Sequence, residues 1–284
     1  MGFRSVSASR LEMRRSAFGA ALVGLVLLTF GPACREKSHD SVAGAAHEKH
    51  WGYEDGAETV GPEHWGALPG EELCATGRRQ SPIALRASGE GAAASRDIPG
   101  LAFDYRPSKL SMINNGHTVQ VNYDVGSSVS EGGTSYRLAQ FHFHASSEHT
   151  LDGRSFPLEI HLVHVGADGK PELVVGVFVQ EGAENAALAA AFRELPKHQG
   201  ETVAPAAATI DAAGVLPAAR THFAYDGSLT TPPCTEGIRW RVLREPIEMS
   251  QEQIEAFRSL PHLGRSQRPL QPLGSRAVLL GTNP

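Results

Sequence analysis

The sequence predicts one domain of mainly β or α+β character, many strands with a few short helices at the periphery, and three observations carry that reading. Residues 136–144, 158–165 and 173–180 are β-branched and aromatic runs of strand length, close enough in sequence to be neighbours in one antiparallel sheet. The chain's 30 glycines and 18 prolines supply the turns that many strands need. Helical spacing occurs in only two stretches, residues 183–195 and a short run after Ser250.

The N-terminal segment stands apart from this domain. Arg10, Arg14 and Arg15 precede an apolar run over residues 17–30, and Gly31-Pro32-Ala33-Cys34 follows. The run falls short of the ~20 residues of a membrane span, so residues 1–34 read as an export signal. Met13 offers an alternative start. Cys34 resembles the lipidated cysteine of bacterial lipoproteins, with Gly31 where such signals usually carry Leu. Lipid anchorage at Cys34 and removal with the leader both stay open. Residues 35–48 are polar and mixed in charge, a tether, and the folded domain is placed at 49–284. The expected location is exported, periplasmic or associated with the cell envelope. Any membrane contact runs through a lipid anchor at Cys34.

Along the domain, His50-Trp51-Gly52-Tyr53 and Pro62-Glu63-His64-Trp65-Gly66 form an aromatic, turn-rich segment without clear periodicity. Residues 77–83 turn into a strand, and residues 87–95 read as a small-residue loop. Residues 101–105 and 119–123 are short strands, with Asn114-Asn115-Gly116 a turn or bulge between them and His117 just after. Residues 126–134 have the composition of a hairpin loop. Leu188, Phe192 and Leu195 give residues 183–195 helical spacing, and Ser250-Gln251-Glu252-Gln253 is a capping box opening a helix that carries Ile254, Phe257 and Leu260.

The net charge is -5 with a pI near 6.2, so nothing points to a nucleic acid partner. Nothing in the sequence specifies an oligomeric state. Cys74 and Cys234 can pair in an exported protein, which would close a long loop.

The chemistry concentrates in Gln140-Phe141-His142-Phe143-His144 and Glu159-Ile160-His161. Strand side chains alternate faces, so His142 and His144 point one way with Gln140 beside them, while Phe141 and Phe143 enter apolar packing. On the next strand Glu159, His161 and Val163 share a face. Two adjacent strands thus bring three imidazoles together, the ligand set of a catalytic zinc with an open fourth position. Gln140 and Glu159 sit one pleat from a histidine each, which suits groups that hold an imidazole's other nitrogen. Further along, Pro232-Pro233 stiffens Ser228-Leu229-Thr230-Thr231, and Glu148 follows the first ligand strand. A carboxylate only accepts hydrogen bonds, so Glu148 would take the Thr230 proton and leave that hydroxyl to accept from a hydroxide on the metal.

These pieces together resemble the α-class carbonic anhydrases, from His50 to about Arg276. The likeness is carried by His50-Trp51-Gly52-Tyr53, Gly61-Pro62-Glu63-His64-Trp65, Arg79-Gln80-Ser81-Pro82, Asn114-Asn115-Gly116-His117, the two histidine motifs, Ser147-Glu148-His149-Thr150, Ser228-Leu229-Thr230-Thr231-Pro232-Pro233 and Arg268-Pro269-Leu270-Gln271-Pro272-Leu273. The resemblance implies a central, largely antiparallel twisted sheet with zinc at the base of a conical cleft. It implies His142, His144 and His161 as ligands, Gln140 and Glu159 as their supports, and Thr230 with Glu148 as the hydroxide gate. Thr231 would line the bicarbonate site, Val163, Val174, Leu229 and Trp240 the CO2 wall, and His117 would shuttle protons. Cys74 and Cys234 match the disulfide of secreted members, and His149 and His164 match structural histidines.

The implied activity is reversible hydration of CO2 to bicarbonate by zinc-bound hydroxide, with ester cleavage as a side activity. Two departures stand out: Ala145-Ser146 replaces a bulkier or proline-containing link, and Ser266-Gln267 stands where the family usually begins with Asn. The competing class is a zinc-holding binding module on the same scaffold, which has no use for the gate or the apolar wall. No H-E-x-x-H helix points to a metalloprotease.

Overall fold

The computed structural model describes residues 49–89, 91–95 and 98–281. The leader with Cys34 and the linker lie outside the described residues. Ten strands matter for the site: β1 (Leu101–Asp104), β2 (Met112–Asn114), β3 (Val119–Asn122), β4 (Ser128–Glu131), β5 (Thr134–His144), β6 (Leu158–Val165), β7 (Pro171–Glu181), β8 (His222–Ser228), β9 (Glu236–Met249) and β10 (Leu279–Gly281). They belong to one 12-stranded sheet whose spine runs β2-β3-β5-β6-β7-β9-β8-β10, extended by Thr202–Val203 beside β2 and Ala94–Ser95 beside β10. β1 and β4 branch from the N-terminal half of β5. Neighbours are antiparallel except β7 with β9 and β10 with Ala94–Ser95. The predicted, largely antiparallel sheet is therefore the observed one.

β5 has a bulge at Ala139, where the register with β6 steps between Leu138 and Gln140. An extra residue exchanges the two faces. Tyr136 and Leu138 enter the main core before the bulge, Phe141 and Phe143 after it. Only because of this inversion can the same strand bury its apolar first half and still turn Gln140, His142 and His144 to the opposite face.

Three sequence expectations change. Residues 126–134 are more than a loop, because β4 occupies Ser128–Glu131 and turns into β5 through Gly132 and Gly133 alone, at φ +57° and +85°. Both turn positions need the left-handed region that glycine enters freely. Within residues 87–95, Ala94–Ser95 pairs with β10. The helix predicted over 183–195 shrinks to Ala189–Arg193. Asn185 directs its own N–H and C=O to Gln253 and accepts the Leu188 N–H on its side chain, so residues 183–188 stay in turns. The capping box at Ser250 is present and opens a helix over Gln251–Arg258.

Cys74 and Cys234 form a disulfide across 160 positions of sequence. It ties a single helical turn, Leu73–Thr76, to the turn between β8 and β9. Replacing both cysteines by Ala is expected to cost roughly 2–5 kcal/mol through the freed unfolded chain. For a domain of this size that lowers Tm by about 5–15 °C, read by calorimetry of the two proteins in the same buffer.

Candidate active site

The site is built on the sheet face opposite the main core. Antiparallel register places His142 opposite His161 and His144 opposite Glu159. Continuing across the sheet, His161 faces Gly176, and Val163, Val174 and Trp240 follow in line. A Cβ at Gly176 would come within 3.0 Å of Glu159 Oε1, so the glycine leaves the carboxylate its place.

Each histidine ring is held by one nitrogen. His142 Nδ1 meets Gln140 Oε1 at 2.8 Å, His144 Nδ1 the Ser266 carbonyl at 2.6 Å, and His161 Nε2 meets Glu159 Oε1 at 2.9 Å. In each contact the oxygen can only accept, so those nitrogens carry the protons. Lone pairs remain on Nε2 of His142, Nε2 of His144 and Nδ1 of His161, and the three residues bring ligand atoms within 4.8 Å of one another. Nε2 of His144 is buried without a hydrogen-bond partner. Burial lowers all three pKa values, His144 to about 4 against the pull of the Ser266 carbonyl, and neighbouring rings of the trio lower His142 and His161 further. The rings are neutral at pH 7, as metal ligation requires. Three imidazoles and no hard oxygen donor fit zinc.

Glu148 comes from a tight turn after β5, fixed by Ser147, which donates to the His149 carbonyl and accepts from the Phe156 N–H. The backbone N–H of Arg268 donates to Glu148 Oε1 at 2.8 Å. The carboxylate lies 3.7 Å from His144 Nδ1 and 3.8 Å from His161 Nδ1. Burial raises its pKa to about 7, against the pull of His161, the Thr230 hydroxyl and the Arg268 N–H. A divalent cation among the rings would favour the ionised form. Oε2 is buried without a hydrogen-bond partner, while the Thr230 hydroxyl is among the groups that draw the carboxyl's pKa down.

The Thr230–Thr231 turn is pinned from both sides. Leu229 N–H donates to the Thr235 carbonyl, Cys234 N–H to that of Thr231, and the Gln80 amide to that of Cys234. Thr231, His117, Gln140, His142 and His144 line one cavity of about 130 Å³ together with Trp51 and Tyr53. Val163, Val174 and Trp240 belong to one apolar cluster, and Leu229 packs against it. Gln140, His142, His144, Glu159 and His161 thus share one face of the sheet, His117 and Thr231 line the same cavity as the first three, and Glu148 reaches the rings from its turn.

His117 stacks on Trp51, centroids 3.5 Å apart and planes within 12°. Burial, and secondarily His50, bring its pKa down to about 4 in that position. His149 lies between Glu159 and the Tyr225 hydroxyl, and His164 Nε2 meets the Tyr105 hydroxyl, so neither is one of the three converging rings. His149, Glu159 and His161 also bring three atoms within 4.8 Å, but these are joined by hydrogen bonds of 2.7 and 2.9 Å and make a relay, not a second metal cage.

Sequence reasoning missed two contributors. The carbonyl of Ser266 holds His144, so the departure from Asn at that position costs no ring support. A backbone carbonyl leaves no side-chain signal. Tyr53 also lines the cavity, its buried hydroxyl without a partner, although its segment reads as irregular cover.

The eukaryotic-type carbonic anhydrase family model matches residues 60–281. A carbonic anhydrase of Pectobacterium atrosepticum is 42% identical over 240 residues, 84% of this chain and 93% of that protein. The solved α-carbonic anhydrase of Thermovibrio ammonificans, in complex with sulfanilamide, superposes with a TM-score of 0.75 at 41% identity, covering 81% of this chain and 99% of that one. Dioscorin complexed with ascorbate gives a TM-score of 0.74 at 31% identity, covering 83% and 99%.

Proposed function

Because the chain belongs to the eukaryotic-type carbonic anhydrase family, here the α class, we propose that it holds one zinc on His142, His144 and His161 and hydrates CO2 reversibly to bicarbonate and a proton. The observation that carries this is the convergence of three neutral imidazoles, each with its other nitrogen fixed and one of them with a buried, unpartnered Nε2. Zinc bound there supplies a Lewis acid that makes hydroxide available near neutral pH.

The chain's own residues do the rest. Gln140, the Ser266 carbonyl and Glu159 fix the ring tautomers. Glu148 takes the Thr230 proton, so the Thr230 oxygen only accepts, which selects a nucleophile with a proton to give and aims its lone pair outward. Val163, Val174, Leu229 and Trp240 hold CO2, which has no charge or dipole to grip, by apolar contact. Thr231, on the cavity wall, orients bicarbonate. An ester carbonyl of fitting size meets the same nucleophile, which gives a side esterase activity. The leader and the disulfide favour an exported, periplasmic or envelope-bound protein, with Cys34 as the point of any lipid anchor.

His117 carries the released proton to buffer. On the Trp51 stack its low pKa does not suit that task, so the role requires the ring to leave the stack for more hydrated surroundings. His117→Ala is expected to slow hydration about tenfold in weak buffer, less than a full general acid–base effect because water still carries some protons. Added imidazole restores the rate. Full activity of the variant in weak buffer would remove His117 from this role.

The deciding experiment is stopped-flow CO2 hydration on the leaderless, oxidised protein with bound zinc counted, before and after chelation. Fast hydration lost with zinc and restored by it is the expected result. One zinc per chain without hydration would leave the ligands and put a zinc-holding binding module first.

A further inference from the structure

The backbone between His142 and His144 is held by a side chain from another segment. β3 pairs with β5 as far as Gln120 opposite His142. One residue further along β5, Phe143 gives both of its backbone groups to Thr118. The Thr118 hydroxyl donates to the Phe143 carbonyl at 2.6 Å and accepts the Phe143 N–H at 3.2 Å. A hydroxyl can do both at once, because it has one proton and two lone pairs. Thr118 is buried, and its branched Cβ restricts χ1, so the hydroxyl is held in place.

The same residue closes the turn that carries His117. The Asn115 N–H donates to the Thr118 carbonyl at 3.1 Å, and Asn115 Oδ1 accepts the N–H groups of His117 at 2.9 Å and of Thr118 at 3.0 Å. Gly116 completes the turn at φ +87°, where a Cβ would also come 2.7 Å from the Gln199 side chain. Residues 115–118 thus form a unit closed on itself, and Thr118 Oγ1 fastens it to the strand of His142 and His144. His117, Thr118, His142 and His144 line one cavity. The hydroxyl therefore sets how far the His117 backbone stands from two of the converging rings.

From this geometry we infer that Thr118 is a positioning residue for proton transfer, acting through His117. The inference rests on the shuttle reading of His117 above. A proton leaving the site crosses the cavity to His117, and a misplacement of about 1 Å in such a step can cost up to roughly 10²-fold in rate. The imidazole can swing about its side-chain bonds, but its reach is measured from a Cα that the turn fixes. Without the hydroxyl the strand stays and the turn is released. Phe143 keeps its register opposite Ile160 and its ring contacts with Phe192 and Phe257, whereas residues 115–118 lose their tie to it. Loss of the tie therefore slows proton removal and spares the attack on CO2. General damage to the ligand strand would lower both.

The test uses the zinc-loaded protein in weak buffer. Thr118→Val, nearly the same shape without the hydroxyl, is expected to lower kcat about threefold, inside the roughly tenfold limit set by His117→Ala, with kcat/KM and bound zinc unchanged. Added imidazole restores kcat. Amide hydrogen exchange reads the tie directly, with or without metal: the Phe143 N–H exchanges about tenfold faster once its acceptor is gone. Thr118→Ser keeps the hydroxyl and is expected to restore both values. Thr118→Ala is read alongside and follows the valine variant, so a poorly folded valine variant leaves the question answerable. In a His117→Ala background Thr118→Val adds no further slowing, because it acts through that ring. Unchanged kcat in Thr118→Val and Thr118→Ala, a fall of kcat/KM in step with kcat, or equal slowing without His117 overturns the inference and leaves the shuttle reading intact. Full activity of His117→Ala in weak buffer overturns both.

Discussion

His144→Ala is expected to take bound zinc from one per chain to less than about a tenth after dialysis against a weak chelator, with CO2 hydration falling to background. Two imidazoles remain, and two do not close a catalytic zinc site. The replacement also leaves the Ser266 carbonyl buried without its partner, at a cost of about 1–3 kcal/mol. His144→Asn therefore belongs beside it, since an amide can donate to that carbonyl while lacking a ring nitrogen in the ligating position. Thermal scans with and without zinc separate the two effects. The unmodified protein is expected to gain stability with added zinc as a ligand of the native state alone, and both variants to lose that gain. Equimolar zinc in either variant would remove His144 from the ligand set.

The ligand strand could be read from sequence because period-two alternation is a local property, and Gln140, His142 and His144 lie on the C-terminal side of the Ala139 bulge where alternation is regular. The bulge itself left no mark: Tyr136 and Leu138 look in sequence as if they shared a face with His142, yet they lie in the opposite core. The helix at 183–195 failed for a related reason. Spacing of Leu188, Phe192 and Leu195 records burial, and burial was achieved by turns bonded through Asn185 to Gln253 in a helix 68 residues further along. The strand at Ser128–Glu131 was hidden by its polar composition, because its pairing with β1 and β5 is a backbone property. At the site, side chains that touch the cavity were legible by residue type. Ser266 holds His144 through its carbonyl, a route that does not show in residue identity.

Thr230→Val is expected to lower kcat/KM for CO2 hydration by about 10²-fold while zinc stays at one per chain. The substitution replaces one hydroxyl by a methyl group at a buried position, and none of the three ring supports involves it. What disappears is the acceptor that the Glu148 carboxylate creates. Without it, the nucleophile is free to turn its proton toward CO2 and its lone pair away. Glu148→Gln removes the same effect from the other end, since an amide can donate to Thr230 and reverse the hydroxyl. The two substitutions act on one hydrogen-bonded unit, so the double variant should be about as slow as the worse single variant, not the product of both. Stopped-flow rates for the three variants, each with its zinc counted, measure that coupling. Multiplying effects would mean that Thr230 and Glu148 work separately, and an unimpaired Thr230→Val would take the hydroxyl out of the mechanism.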